Sequence, residues 1–323
     1  MSRPFGHLRV AAVLDEFSRA CLAPEVKLLD LHARRWRLQL ATARRPDLLF
    51  VESVWLGRAE SWKRSLEEIP AIVSHCRKRG VPTAFWNKED PVFFDRFLDT
   101  AKHFDVVFTT DEACLPKYER RLRRGSDAVR CLPFFAQPEL HRPPRPGEAA
   151  RTSTVCFAGS YGEPELPERR RELEVLLDAG APFGLTILDR ARGPHKRFPD
   201  RFAPYLRPPV RYVDLPDHYR RHRIFLNVNS VASSPTMFAR RVFELLACGT
   251  AVVSSPSVGM ERLFGDVVAV ARDEREARDA IERFLGDDAH YAEVTGRGIE
   301  RVQSAHTAAH RLADVCAAVG IAT

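Results

Sequence analysis

The sequence predicts an α/β protein of two Rossmann-like domains, and three of its features carry that prediction. Short runs that are apolar throughout alternate with segments of helical spacing along most of the chain, the pattern of a parallel sheet covered on both faces. The alternation breaks once, in a proline-rich stretch from Gln137 to Arg151, and then restarts. The 323 residues are about twice the ~150 of a usual domain.

In the first half, Leu8 to Leu14 reads as a strand and His32 to Arg45 as a helix through Trp36, Leu38 and Leu40. Pro46 stops that helix and opens the strand Asp47 to Val51, and a helix from Trp62 to Lys78 follows, closed by Gly80. Val81 to Trp86, Asp105 to Thr110 and Val129 to Phe135 are strands, separated by the helices Phe93 to His103 and Glu112 to Arg124. In the second half the strands are Thr154 to Ala158, Gly184 to Leu188, Ile224 to Asn229, Ala251 to Ser255 and Val267 to Val270. Pro167 to Ala179 is a helix, another ends at Cys248-Gly249, and Glu274 to Leu285, Tyr291 to Gln303 and Ala308 to Val319 close the chain. Ala191 to Pro209, rich in Pro and Arg, reads as a loop. The expected division is a domain over 1–136, a linker over 137–152, a second domain over 153–303 and a closing helix over 304–323.

Lys and Arg number 50 against 43 Asp and Glu, a net charge of +7 that admits a nucleic-acid or phosphate-bearing partner. Only seven of the 50 are Lys, and Ala and Pro are plentiful, so a coding bias toward Arg accounts for the excess without any ligand. The clusters Arg34-Arg35, Arg120 to Arg124 and Arg169 to Arg171 lie in helical patterns, whose exposed faces are usually charged. Aromatic residues fall within strands and amphipathic helices and leave no stacking strip for a nucleic acid, so no nucleic-acid partner is expected. Seven scattered cysteines with no Cys-x-x-Cys pair predict reduced core thiols and neither a disulfide framework nor a structural zinc. No apolar run approaches the ~20 residues of a membrane span, and a cytoplasmic protein is expected.

The first strand leads into Asp15-Glu16-Phe17-Ser18 instead of a glycine-rich turn, and no Walker-type Gly-Lys-Ser/Thr occurs, which sets aside NAD enzymes and P-loop nucleotidases. In the second half, Phe157-Ala158-Gly159-Ser160-Tyr161-Gly162 follows a strand directly; its glycines admit the close approach of an anion or serve a plain tight turn. Asn227-Val228-Asn229-Ser230 is a polar strand end, and Ser233-Ser234-Pro235-Thr236 reads as the start of a helix running to Gly249. The amides of that start, with Arg240 or Arg241, would hold a phosphate, and Glu244 one turn on would accept from ribose hydroxyls. Arg240 and Glu244 also have the spacing of an i,i+4 surface ion pair.

At this segment the chain resembles the GT-B glycosyltransferases, in particular the CgeB-like (spore maturation protein) group. The likeness rests on Arg241-Val242-Phe243-Glu244-Leu245-Leu246-Ala247-Cys248-Gly249 followed by Ala251-Val252-Val253-Ser254-Ser255. Phe157 to Tyr161, His306-Thr307 with His310-Arg311, Val51-Glu52-Ser53-Val54-Trp55, Trp86 to Pro91 and Val107 to Asp111 extend it over nearly the whole chain. Two departures stand out: Thr236 lies where the broader retaining families carry a Glu, and Ala308 where the His-Thr motif often continues with Tyr.

The resemblance implies a GT-B fold, with two Rossmann-like domains facing a cleft and C-terminal helices closing the chain. It also implies transfer of a sugar from a UDP-, dTDP- or GDP-linked donor to a hydroxyl of a natural product, polysaccharide or other glycan, without metal or further cofactor. Gly159, Ser160, Tyr161, Asn229, Arg240, Arg241 and Glu244 are then the expected donor-binding residues, Arg and amides taking the charge of the leaving diphosphate. Asp15 is the expected general base with Glu89 second, and Glu52, Ser53, Lys88 and Asp90 stand on the acceptor side. Each has a plainer role open to it: Asp15, Glu52 and Ser53 as loop caps, Asp90-Pro91 as a helix start. A sugar-nucleotide epimerase or hydrolase of the same fold, and a basic nucleic-acid-binding protein, are the alternative functions.

Overall fold

The computed structural model describes residues 3–53, 61–62, 66–148, 151, 153–190 and 197–322, and the chain divides into two compact units, Met1–Gln137 with Thr307–Thr323, and Pro138–His306. Val54-Trp55, the first turn of the helix expected from Trp62, and part of the expected linker and loop lie outside the described residues.

The first unit runs β1 (Arg9–Val13), α1 (Glu16–Leu22), β2 (Lys27–Asp30), α2 (Trp36–Thr42), β3 (Leu48–Glu52), α3 (Ile69–Arg77), β4 (Thr83–Asn87), α4 (Phe94–Ala101), β5 (Val106–Thr109), α5 (Leu115–Leu122) and β6 (Val129–Cys131). Its strands form one parallel sheet in the order β2-β1-β3-β4-β5-β6. The central strands are buried along their length because apolar side chains point to helices on both faces. Val13, Leu49, Val51 and Phe85 pack with Trp36, Trp62, Phe97 and Phe104 in one cluster, each large side chain contributing roughly 1.5–3 kcal/mol. Val13 aligns with Val51, and Glu52 with Trp86, so β1, β3 and β4 end level with one another. The order reverses between β1 and β3, which makes their C-terminal ends the crevice where such sheets bind ligands.

The second unit runs β7 (Ser153–Gly159), α6 (Pro167–Gly180), β8 (Thr186–Asp189), β9 (Leu206–Arg207), α7 (Leu215–Arg221), β10 (His222–Asn227), α8 (Arg241–Ala247), β11 (Ala251–Ser254), α9 (Val258–Phe264), β12 (Ala269–Val270), α10 (Glu274–Gly286) and α11 (Asp288–Ala305). Its parallel sheet has the order β12-β11-β10-β7-β8-β9, reversing between β7 and β10. Gly180 lets α6 lie against that sheet: a Cβ there would come within 3.1 Å of Val155 and 3.2 Å of Leu226.

The last helix, α12 (Ala308–Ala318), belongs to the first unit. Thr307 and His310 form a capping box at its start, Ala308 N donates to Ala136 O at 2.9 Å, and Arg311 Nε donates to Pro133 O at 3.0 Å. The Pro133, Phe134 and Ala136 carbonyls, beyond the end of the short β6, find donors here.

Several expected boundaries change. α8 starts at Arg241, not at Ser233–Thr236, because Ser234 Oγ accepts from Met237 N at 2.9 Å and closes a local turn instead of capping a helix. Of the helix expected from Trp62, α3 covers Ile69–Arg77 after a 3-10 turn at Leu66–Glu68, and the Trp62 indole donates to Leu31 O at 2.9 Å. β6 stops at Cys131, and the expected loop to Pro209 contains a 3-10 turn at Asp200–Tyr205 and the edge strand β9.

Candidate active site

At the C-terminal edge of the first sheet, strand register gathers residues far apart in sequence. Asp15 follows β1, Glu52 ends β3 and Lys88 follows β4. Lys88 is paired with Asp15 and lies 3.1 Å from Glu52, while the Asp15 amide donates to Glu52 Oε1. Asp15 also caps α1, its carboxylate accepting from Ser18 N at 2.8 Å. Burial, and then the Asp15 charge, push the Glu52 carboxyl up to about 7 against the pull of Lys88. Burial alone would lower the Lys88 ammonium, but the two carboxylates outweigh it and hold it above its ordinary value. The Asp15 side chain keeps 22% of its surface exposed against 2% for Glu52, so Asp15 is the member of the triad open to a substrate.

Beside this triad, Asp90 is buried and accepts from Asn87 Nδ2 and Thr109 Oγ1, both at 2.7 Å. Burial pushes its carboxyl up to about 7. Folded Glu52 and Asp90 therefore keep protons that the unfolded chain releases near pH 4, so their contribution to stability falls as pH rises from about 4 to about 7. We expect the double variant Glu52→Gln, Asp90→Asn to lose less stability than the parent between pH 5 and pH 7.5, by ~1 kcal/mol or more in urea unfolding. Parallel pH dependences of the two proteins would show that neither carboxyl is protonated in the fold.

In the second unit, β7 ends in Gly159 at the reversal point. Gly162 has φ +107°, and a Cβ there would strike the Arg169 guanidinium, so only glycine suits the position. Arg169 donates to Tyr161 O at 2.9 Å and Arg170 to Gly162 O at 2.6 Å, tying α6 to the loop. Arg241, at the start of α8, lies 3.7 Å from where a Gly159 Cβ would stand, with its guanidinium 5.9 Å from the Phe157 ring. It makes no hydrogen bond or ion pair with another described residue. Burial, followed by the like charges of Arg241, Arg190 and Arg170, lowers Arg169 to about 10. An anion on this loop would offset the like charges of Arg169 and Arg241.

Glu244 stands elsewhere. It is fully buried, accepting from Tyr212 OH at 2.8 Å and Tyr219 OH at 3.0 Å, with Arg240 Nε 2.7 Å from Oε1. Burial would raise its carboxyl, but the Arg240 charge, His141 and the Tyr212 hydroxyl hold it below the ordinary value. His141, in the stretch expected to be a linker, is buried against both tyrosine rings, and burial pushes it down to about 4. Asn229 is also turned inward: its amide donates to Ser255 O at 3.1 Å, and its carbonyl accepts from Ala239 N at 3.0 Å. It thereby pins the segment before α8 to the sheet edge.

Residues 176–317 match the model of a family described as glycosyl transferase-like. No curated protein sequence matches the chain. Among solved structures, the sucrose-phosphate synthase of Thermosynechococcus elongatus is similar over 96% of this chain and 98% of its own, with a TM-score of 0.57 and 16% identity. An alpha-glucosyltransferase in complex with UDP and a 13-mer DNA matches over 98% and 100%, with a TM-score of 0.64 and 11% identity. Anabaena HepE in complex with UDP and glucose matches over 97% and 100%, with a TM-score of 0.59 and 12% identity. The chain has the GT-B fold.

On this GT-B chain the expected site residues fall into two groups. Asp15, Lys88 and Glu52 meet one another, as do Gly159, Arg241 and the loop through Ser160 and Tyr161. Ser160 and Tyr161 are half-buried, the Tyr161 hydroxyl engaged by Glu174. Glu89 is half-exposed beside Lys88. Three residues are placed otherwise than their sequence suggests: the polar atoms of Glu244 and Asn229 are buried and bind their own chain, and Arg240 is held by Glu244 in an ion pair that is buried on the carboxylate side. Of the residues expected on the acceptor side, Glu52, Ser53, Lys88 and Asp90 are buried, while Asp15 and Glu89 keep partial exposure. Sequence reading missed Arg169 and Arg170, whose only signal was an Arg run that also suits a solvated helix face, and Arg190, which directly follows β8. It missed Tyr212, Tyr219 and His141 because they meet Glu244 only through the fold. Among the described residues no three His, Cys, Asp or Glu side chains are placed to hold a metal ion, and no helix is long and apolar enough to cross a membrane.

Proposed function

We propose that the protein is a nucleotide-sugar-dependent glycosyltransferase, near the CgeB-like group, that works without a metal. The observation that carries this reading is the placement of Arg169, Arg170 and Arg241 against the Gly159–Gly162 loop at the reversal point of the second sheet. Breaking a glycosyl phosphate bond puts negative charge on the departing diphosphate, and fixed guanidiniums with loop amides stabilise it there. The UDP in two of the similar structures supports a uridine donor as the first to test. A thermal-shift comparison of UDP, dTDP and GDP is expected to show stabilisation by one of them, and donor turnover is expected to persist in EDTA. Loss of turnover in chelator, restored by magnesium, would remove the metal-free mechanism; no shift with any nucleotide would remove the donor.

In this reading Asp15 takes the proton of the acceptor hydroxyl, with Lys88 holding the carboxylate in place and Glu89 the second candidate. Asp15→Asn keeps the shape and removes the base, so kcat should fall ~100-fold with nucleotide affinity unchanged. Retention of most of the parent kcat would restrict Asp15 to its capping role.

A further inference from the structure

The outer face of α2 and the edge strand β2 carry charge that neither the donor loop nor the Asp15 triad uses. Lys27, Arg34, Arg35 and Arg44 are exposed, and none makes a side-chain hydrogen bond or ion pair with another described residue. From Leu31 to Pro46 the sequence has no acidic residue, and the flanking acids Asp30, Asp47 and Glu68 are paired with Arg19, Arg9 and Arg37. Leu38 projects from the same helix with 65% of its surface exposed, the most of any large apolar side chain among the described residues. An open cavity of about 230 Å³ adjoins them, lined by Arg9, Lys27 and Arg44 together with Leu28, Leu29 and Pro46.

We propose that this face is a docking surface for a bilayer carrying anionic phospholipid. The cations would meet lipid phosphates, Leu38 would enter the interfacial layer, and the cavity, cationic and apolar at once, would receive a headgroup with the start of its glycerol. A nucleic acid would satisfy the cations but not Leu38, and the one aromatic residue of α2, Trp36, is buried and gives no base a stacking partner. Arg9 and Lys27 begin β1 and β2, whereas the Asp15 triad lies where β1, β3 and β4 end. The cavity thus lies at the opposite end of these strands from the triad, while Arg34 and Arg35, which follow the end of β2, extend the face toward the triad's edge. The proposal does not rest on the glycosyltransferase reading.

Co-sedimentation with vesicles tests it. The full chain should pellet with phosphatidylcholine vesicles containing phosphatidylglycerol and not with phosphatidylcholine alone, and salt should weaken the binding. Arg34→Glu with Arg35→Asp should lower the vesicle affinity at least ~10-fold, at about a factor of five or more per charge lost. Arg35 is the N-cap of α2 and makes no capping bond, so Asp there should leave the melting temperature unchanged or raised, separating lost binding from lost folding. Leu38→Ser should weaken vesicle binding without changing affinity for inorganic phosphate. Equal binding to both vesicle types, no effect of the Arg variants, or vesicle binding that is indifferent to Leu38→Ser and competed away by an oligonucleotide would each overturn the proposal.

Discussion

Replacing Arg241 with methionine should lower kcat/KM for the nucleotide sugar by ~100- to 1000-fold while leaving the protein folded. The stability part follows from what Arg241 lacks: it bonds to no other described residue, so its loss leaves no partner exposed, and methionine retains contact with the Phe157 ring. The activity part follows from what surrounds it. A permanently charged fork beside the Gly159 backbone, in a pocket of like charges, is unfavourable alone and favourable once a diphosphate enters, most of all as charge develops on it. Arg241→Lys should fall between, because it keeps the charge and loses the two-pronged geometry. Steady-state kinetics beside a thermal melt would decide; a methionine variant with parental kcat/KM would detach the loop from the donor.

Glu244→Ala should have the largest effect on stability, a loss of ~3–5 kcal/mol in denaturant unfolding. The substitution removes the buried carboxylate that accepts from the Tyr212 and Tyr219 hydroxyls and leaves the partly buried Arg240 charge without its counter-ion. Tyr219→Phe removes one donor and should cost only ~1–2 kcal/mol, since a carboxylate with Tyr212 and Arg240 remains. A Glu244→Ala protein of parental stability that no longer binds nucleotide would reverse this reading and return Glu244 to the ribose.

The sheets were legible because strands buried on both faces are apolar throughout, and that signal is local. Elements of the opposite kind escaped: β2 is a half-exposed edge strand of four residues, and the seven-residue helices α1, α7 and α9 lack the longer flanking runs that revealed α2 and α8, equally short. Ser234 illustrates a different failure. Its hydroxyl offers the same bond to a turn as to a helix start, and the turn prevails because Asn229 already holds the following backbone against the sheet. At the sites, residue type was legible and commitment was not. Asp15 and Lys88 stand 73 positions apart, and only the alignment of β1, β3 and β4 brings them together. Glu244 carries the spacing of a surface ion pair, and nothing local in its sequence shows that Tyr212 and Tyr219 close over it.

The return of α12 to the first unit also sets an order of events during synthesis. Pro138–His306 is one uninterrupted stretch, so its fold is complete in sequence before the last helix leaves the ribosome. Met1–Gln137 emerges first yet must wait, because the partners for the Pro133 and Ala136 carbonyls lie at Ala308 and Arg311. The half whose sequence comes first is thus completed after the other, its Pro133 and Ala136 carbonyls bonded to water until Ala308 and Arg311 follow.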